Sequence, residues 1–359
     1  MSEIKKRFYP DRYEATYRVM EAQHNWRLDS FMMKYWPTLS RQALKRKISK
    51  AEITIEGREK PFPHRPSTKV WEGDIVKFVT HKTIHEDEYW RGEKIELEWD
   101  FPIVYEDEHI AAISKPPYMS THPTGRHLFF CATVLTEQIF GKPTHSIHRL
   151  DRETSGILLI GKHPKASQKI SDEFENRRVK KVYLFIGRKK KSVSFPIRAT
   201  ERLGQKNDSD YRMYMYCFPE NSFDGKASET LFESVFEDDD YVVGLAYPKT
   251  GRQHQIRAHA CQHGFPLLGD KLYDGGIPMF QRFKDLVASE EDHNQMQIPR
   301  QALHAIAISF DYYIKNESLE LISPFPNDFK DWINRHLKAN VSDLEICVNE
   351  RIKTYFQKN

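Results

Sequence analysis

Between residues 26 and 80 the apolar positions follow two periods. Leu28, Phe31, Met32, Tyr35 and Trp36 recur at helical spacing, and Pro37 ends that run. Ser40 stands where a helix N-cap is expected, opening a helix over 41–48. Ile53, Ile55, Val70, Val76 and Phe78 then belong to short strands, with turns at 56–57 and 72–74. Two helices and a few strands in so short a span predict a small α+β module over residues 23–81. Residues 1–22 show no clear period and are expected to be an extension. Residues 82–98, rich in His, Lys, Glu and Asp and poor in aliphatics, read as a linker.

From Phe101 the pattern changes to β-rich runs at 103–105, 110–114, 156–161, 182–187, 229–236, 241–246 and 307–313. Helical patterns at 166–175 and 254–263 interrupt them. That alternation predicts an α+β fold with a mixed, mostly antiparallel sheet flanked by helices over residues 99–337. Residues 338–359 are expected to be a tail.

The chain of 359 residues is 30% charged and 39% apolar, an ordinary globular balance. The four cysteines, Cys131, Cys217, Cys261 and Cys347, form no close pair and suggest a reduced compartment. The first thirty residues hold no apolar run, so neither a secretory signal nor a membrane anchor is expected, and the cytoplasm is the predicted location. A net charge of +4 says little about partners, so the local distribution matters more. Arg41 and Lys45 share one helix face among further positives at Arg46, Lys47 and Lys50, and a second basic cluster spans 177–181 and 188–191. Such runs are commonly solvated surface; two of them in separate domains favour phosphate contacts with nucleic acid.

Candidate chemistry concentrates in two segments. In 146–156, Asp151 lies between Arg149 and Arg152 just before an apolar strand. The bland reading is a structural ion pair. An arginine-paired carboxylate also stays ionised, which suits nucleophilic or electrostatic work. In 248–259 a turn at Gly251 leads into a helix rich in Arg and His. His259 and His263, four apart, could meet a metal from one helix face, although spacing shows no obvious third ligand; a metal-dependent hydrolase using His254, His259 and His263 is kept as an alternative. His304 reads as a core histidine. The chain has no phosphate loop, dinucleotide fingerprint or Gly-x-Ser-x-Gly elbow.

The segment His148-Arg-Leu-Asp-Arg-Glu-Thr-Ser-Gly156 resembles the signature of RluA-type RNA pseudouridine synthases. So do Lys115-Pro-Pro with Thr121-His-Pro123, Lys181-Val-Tyr183, the block 251–257 continuing through 264–270 to Tyr273, and Leu303-His-Ala305. These blocks keep the family's order over roughly residues 100–330. Residues 26–80, with Arg27-Leu-Asp29, Leu39-Ser-Arg41 and Gly73-Asp74, resemble the alpha-L RNA-binding motif. The resemblance implies isomerisation of uridine within rRNA or tRNA, without cofactor or metal, by a catalytic domain with a central bent sheet behind a small RNA-binding domain. It implies that Asp151 is indispensable, that Tyr183 packs on the target base and serves in proton removal from C5, that Arg257 pairs with the aspartate, and that Arg149 fills the gap left by the flipped uridine. His148, Lys115, His122 and Arg252 are expected at the substrate, with Arg41 and Lys45 on the RNA face of the small domain. Pro117 and Tyr118 depart from the family's small residue and glycine, and Gln253 stands where Thr is common. Residues 121–126 are similar to a branch that includes eukaryotic tRNA-modifying enzymes. A monomer is expected, since no heptad repeat occurs. A catalytically silent RNA-binding protein of the same fold is the other alternative.

Overall fold

The computed structural model describes all residues except 1–3, 10, 37–38, 59–61, 83–85, 124–126, 128, 207–210, 212, 314 and 359. Pro37 and residues 124–126 of the 121–126 stretch therefore lie outside the described residues. Two compact units separate, one formed by residues 1–86 with 125–129, the other by 87–124 with 130–359.

Among the described residues the first unit holds a four-stranded antiparallel sheet, in the order Ile4–Phe8, Arg12–Arg18, Ile75–His81, Ile53–Ile55. The stretch expected to be a mere extension thus supplies two strands. Its period of two was masked because the buried positions of Arg12–Arg18 are Tyr13, Ala15 and Tyr17, not aliphatics. The helices Leu28–Tyr35 and Arg41–Ser49 bury Leu28, Phe31, Met32, Leu44 and Ile48 in the core these strands line. Ser40 caps the second helix, its Oγ accepting from the Ala43 N–H at 3.2 Å.

In the second unit ten described strands form one mixed sheet. The main path runs Ile197–Ala199, Thr230–Glu237, Tyr241–Pro248, Lys180–Arg188, Leu303–Tyr312, Ser155–Gly161, Ile110–Lys115, Ile103–Glu106. Its pairings are antiparallel save one: Ser155 and Gly156 run parallel to His304 and Ala305. Gly156 has φ +104°, and a Cβ there would lie 2.3 Å from the Ala305 carbonyl oxygen, so only glycine lets these strands meet. Opposite Lys180–Arg188, the strand Leu303–Tyr312 carries a bulge: Val182 pairs with Ala307 but Tyr183 with Ala305.

The helices Asn327–His336 and Val341–Gln357 cover one face of this sheet. Residues 338–359 are accordingly no loose tail: Leu344, Val348, Ile352 and Phe356 share a core with Val182, Leu184, Val243 and Leu245. Removing a buried Ile side chain costs about 2–5 kcal/mol. Ile352→Ala should lower the unfolding free energy by that amount in urea titration; no measurable loss would detach the helix from the core. Within the expected linker, Glu88–Trp90 and Glu93–Ile95 pair as a hairpin. Its Trp90 stacks on Phe283 (6.0 Å between centroids) and meets the edge of His293 (4.5 Å). Both partners belong to 276–300, which folds as the helices Gly276–Lys284 and Glu290–Met296.

Candidate active site

The strand Ser155–Gly161 is entered from the segment 149–154, and almost every residue around Asp151 is fastened to a different element. Thr121 Oγ1 donates to the Leu150 carbonyl (3.0 Å) and accepts from its N–H (3.2 Å). Lys115 Nζ donates to the carbonyls of Pro116 (3.0 Å), Met119 (2.9 Å) and Arg152 (3.2 Å). Arg152 pairs with Glu88 and donates to the Tyr118 carbonyl. Glu153 accepts from Lys271 Nζ (2.9 Å) and the Gln301 N–H (3.1 Å), and Gln301 also donates to Thr154 Oγ1 (2.8 Å). Arg300, held by two bonds to Asp328, reaches the Glu153 carbonyl. A loop tied at this many points presents its carboxylate in one orientation.

The facing wall is built from 248–257. Gln255 is buried and knits it: its amide oxygen accepts from Thr250 Oγ1 (2.7 Å) and the Arg252 N–H (3.0 Å), while its amide nitrogen donates to the Glu229 carbonyl and Thr230 Oγ1 (both 2.9 Å). His254 begins the helix Gln255–Gln262 in the left-handed region, φ +54°. The two walls enclose a cleft of about 660 Å³ lined by Arg149, Asp151, Lys181, Tyr183, Arg252 and Arg257 among others.

One ion-pair chain runs through the cleft floor. Arg257 Nη1 donates to Asp151 Oδ2 at 3.0 Å, and its Nε and Nη2 donate to Asp270 at 2.6 and 2.9 Å. Asp270 is fully buried and also accepts from the N–H groups of Leu272 and Tyr273. The Arg257 fork is thereby fixed in the plane that Asp151 meets. Burial alone would push the Asp151 carboxyl up; His254, Arg257 with its hydrogen bond, and Arg149 outweigh it and hold it below the usual carboxylate range. His254, with Nε2 3.8 Å from Asp151, is itself pushed down to about 4 by burial, so at neutral pH Arg257 is the cation that keeps the carboxylate ionised. Tyr183 faces the same cleft, and burial together with the Asp151 charge holds its hydroxyl well above its ordinary value, as a neutral phenol.

The sequence model of the RNA pseudouridylate synthase family matches residues 109–262. Ribosomal large subunit pseudouridine synthase D of Vibrio vulnificus is 28% identical over 326 residues, covering 88% of this chain and 92% of that one. The protein of the same name from Pasteurella multocida is 29% identical over 334 residues, covering 90% and 94%. The chain is thus similar to the RNA pseudouridylate synthases over residues 109–262 and, at 28–29% identity, to these two relatives over most of its length. The solved structure of human RNA Pseudouridylate Synthase Domain Containing 1 shares the fold, with a TM-score of 0.51 at 21% identity over 65% of this chain and 87% of that one. The expected α+β class with a mixed sheet between helices is borne out.

Of the residues expected at the catalytic or substrate site, Asp151, Tyr183, Arg257, Arg149, Arg252 and His148 line the cleft. His148 is occupied internally, however: Nε2 accepts from the Leu159 N–H (3.1 Å) and the ring stacks on Phe174. Arg252 Nε donates to the Ala227 carbonyl at 3.2 Å. Lys115 needs correction. It is fully buried, and its three carbonyl bonds occupy every ammonium proton, so it holds the loop and does not reach substrate. His122 is absent from the cleft lining, although its neighbour Thr121 anchors Leu150. In the first unit Arg41 donates through Nε to the buried Asp29 at 3.2 Å, beside a two-point bond from Arg27, and both Arg41 and Lys45 are exposed. Tyr118 adopts φ +67°, the conformation for which a glycine is favoured, so the turn tolerates the departure. The histidines of the metal alternative part company: His254 bonds the Tyr273 hydroxyl, His259 is buried against Thr230 and Ser228, and His263 pairs with Glu201. No group of three or more possible metal ligands occurs among the described residues.

Proposed function

We propose that this protein is an RNA pseudouridine synthase that converts uridine to pseudouridine in RNA of the large ribosomal subunit, acting in the cytoplasm as a monomer without cofactor or metal. The observation that carries the choice of RNA is coverage: relatives named for that substrate align over nearly the whole of both chains. A base inside a duplex is out of reach, so the target uridine must leave its stack for the cleft, with Arg149 at the cleft surface filling the space it vacates. Asp151, ionised and held by Arg257, serves the cleavage of the N1–C1′ bond. The uracil then turns, C5 joins C1′, and the C5 proton leaves while N1 gains one. Tyr183 packs against the base; as a neutral phenol it takes the C5 proton only while passing its own hydroxyl proton on, with the Asp151 carboxylate of the same cleft as the acceptor.

Incubation of the protein with unmodified transcripts of large-subunit rRNA and of tRNA tests the reading. Pseudouridine at one or a few sites of the rRNA is expected. Modification of tRNA alone would overturn the choice of RNA, and none in either would favour the silent RNA-binding alternative. The alpha-L unit enters the proposal as a second contact with RNA. Because Arg41 is bound to Asp29, the informative change is Lys45→Glu with Arg46→Glu, both exposed. The slope of log affinity against log salt should fall by about 1–2, since each phosphate contact contributes close to one unit. An unchanged slope removes that helix from the RNA face.

A further inference from the structure

We propose that Lys181 grips a backbone phosphate of the RNA beside the target uridine, an inference that rests on the function proposed above. Lys181 and Tyr183 stand two apart on the strand Lys180–Arg188 and both line the cleft. Its basic neighbours Arg178 and Lys180 are committed elsewhere, while Arg177 joins it in the cleft lining. Arg178 makes a two-point bond to Glu173, and Lys180 donates to the Phe356 carbonyl at the end of the last helix. Lys181 Nζ donates to the Thr250 carbonyl at 3.1 Å, and no carboxylate among the described residues pairs with it. Two N–H groups of the ammonium are therefore left for a ligand.

The charges around it favour an anion. The cleft's carboxylates are Asp151, already bound to Arg257, and Glu175 at the end of the helix Pro164–Glu175. Arg149, Arg177 and Arg252 add positive charge to the lining. His148 and His254 are pushed down to about 3 and about 4 by burial, so they are neutral near pH 7. A half-buried ammonium without a counter-ion is unfavourable, and burial lowers the Lys181 pKa to about 8. A phosphate oxygen would supply the missing charge and raise that pKa again. The sign follows: binding that needs the protonated amine is complete below about pH 8 and weakens above it, with proton uptake on association.

The test compares wild type, Lys181→Met and Lys181→Arg in turnover on the large-subunit rRNA transcript and in binding to the same RNA. Lys181→Met should raise KM on the order of tenfold, the loss expected for a charged hydrogen bond, with the smaller effect on kcat. The salt slope of its binding should fall by about one unit. Wild-type KM should climb above about pH 8, whereas the Arg variant, which does not titrate there, should restore binding and stay flat. Unchanged KM and salt slope in Lys181→Met, or an Arg variant that climbs in parallel with wild type, overturns the inference. If wild type binds the RNA and forms no pseudouridine, the proposed function fails, and the binding comparison still judges the lysine.

Discussion

Asp151→Asn should form no detectable pseudouridine while binding RNA as wild type does. Asparagine keeps the size and the hydrogen-bonding oxygen of the side chain but loses the charge that Arg257 sustains. Arg257 retains both bonds to Asp270, so the cleft floor keeps its shape and its remaining ion pair. The loop also keeps its anchors, because Thr121, Lys115, Glu153 and Gln301 bind its backbone and neighbouring side chains, not the carboxylate. The effect should therefore fall on chemistry. Loss of a residue that a covalent or charge-stabilised step depends on commonly lowers kcat about ten-thousandfold or more. Single-turnover assays with filter binding and urea unfolding on the same samples separate the outcomes. Turnover within about a hundredfold of wild type would remove Asp151 from the central role. Lost binding or lost stability would make it a structural residue. Wild-type activity should also hold as pH falls from neutrality toward about 5, since the carboxyl sits below the usual carboxylate range.

How far the sequence spoke depended on whether the signal was local. The helix capped by Ser40, the strand after Asp151 and the run at 241–246 each carry their pattern within a few residues, and all three are found where expected. The approach of Asp151 to Arg257 joins positions 106 residues apart, and only the resemblance to a family pointed to it. Asp270 was visible merely as part of a block; its task, holding the far side of the Arg257 fork, exists only in three dimensions. The misreadings share one cause. The resemblance puts Lys115 at the substrate, and nothing local reveals that three carbonyls already occupy its ammonium. The final helix reads as a tail in the sequence because its apolar positions Leu344, Val348, Ile352 and Phe356 form a narrow stripe in a polar stretch, and the face that covers them comes from strands far back in the chain. His254 suits a metal ligand by residue type alone, whereas the structure sets it, with a left-handed backbone, 3.8 Å from Asp151.

Replacing Arg257 should have a different signature, in which stability and pH dependence change together. Arg257→Met fits a similar volume but leaves Asp151 and Asp270 facing each other with no cation between them, Asp270 being fully buried. Breaking a buried pair by removing one partner costs about 3–5 kcal/mol, a large share of the about 5–15 kcal/mol that holds an ordinary domain together. In the wild type both carboxyls are held below their ordinary values: burial opposes this, and Arg257 is the leading charge on Asp270 and, with His254, on Asp151. Their contribution to stability is thus present above the unfolded carboxylate pKa, about 4, and is lost as pH falls through the folded values. Without Arg257 burial is opposed only by His254 and Arg149 at Asp151 and by the Tyr273 N–H and His254 at Asp270, and the two carboxylates repel, so their folded pKa values are expected to rise above the unfolded ones. The sign then reverses, and the variant should gain stability as pH falls from 7 toward 5 over a range where wild type barely changes. Urea unfolding at several pH values reads this directly. A variant as unstable at pH 5 as at pH 7 would show that its defect is packing and not the two orphaned charges. Turnover should be lost as well, because a carboxyl with a raised pKa is less fully ionised. If activity returned at higher pH in Arg257→Met, the arginine's part in the reaction would be electrostatic, to keep Asp151 charged, whereas inactivity at every pH would assign it the aim of the carboxylate too.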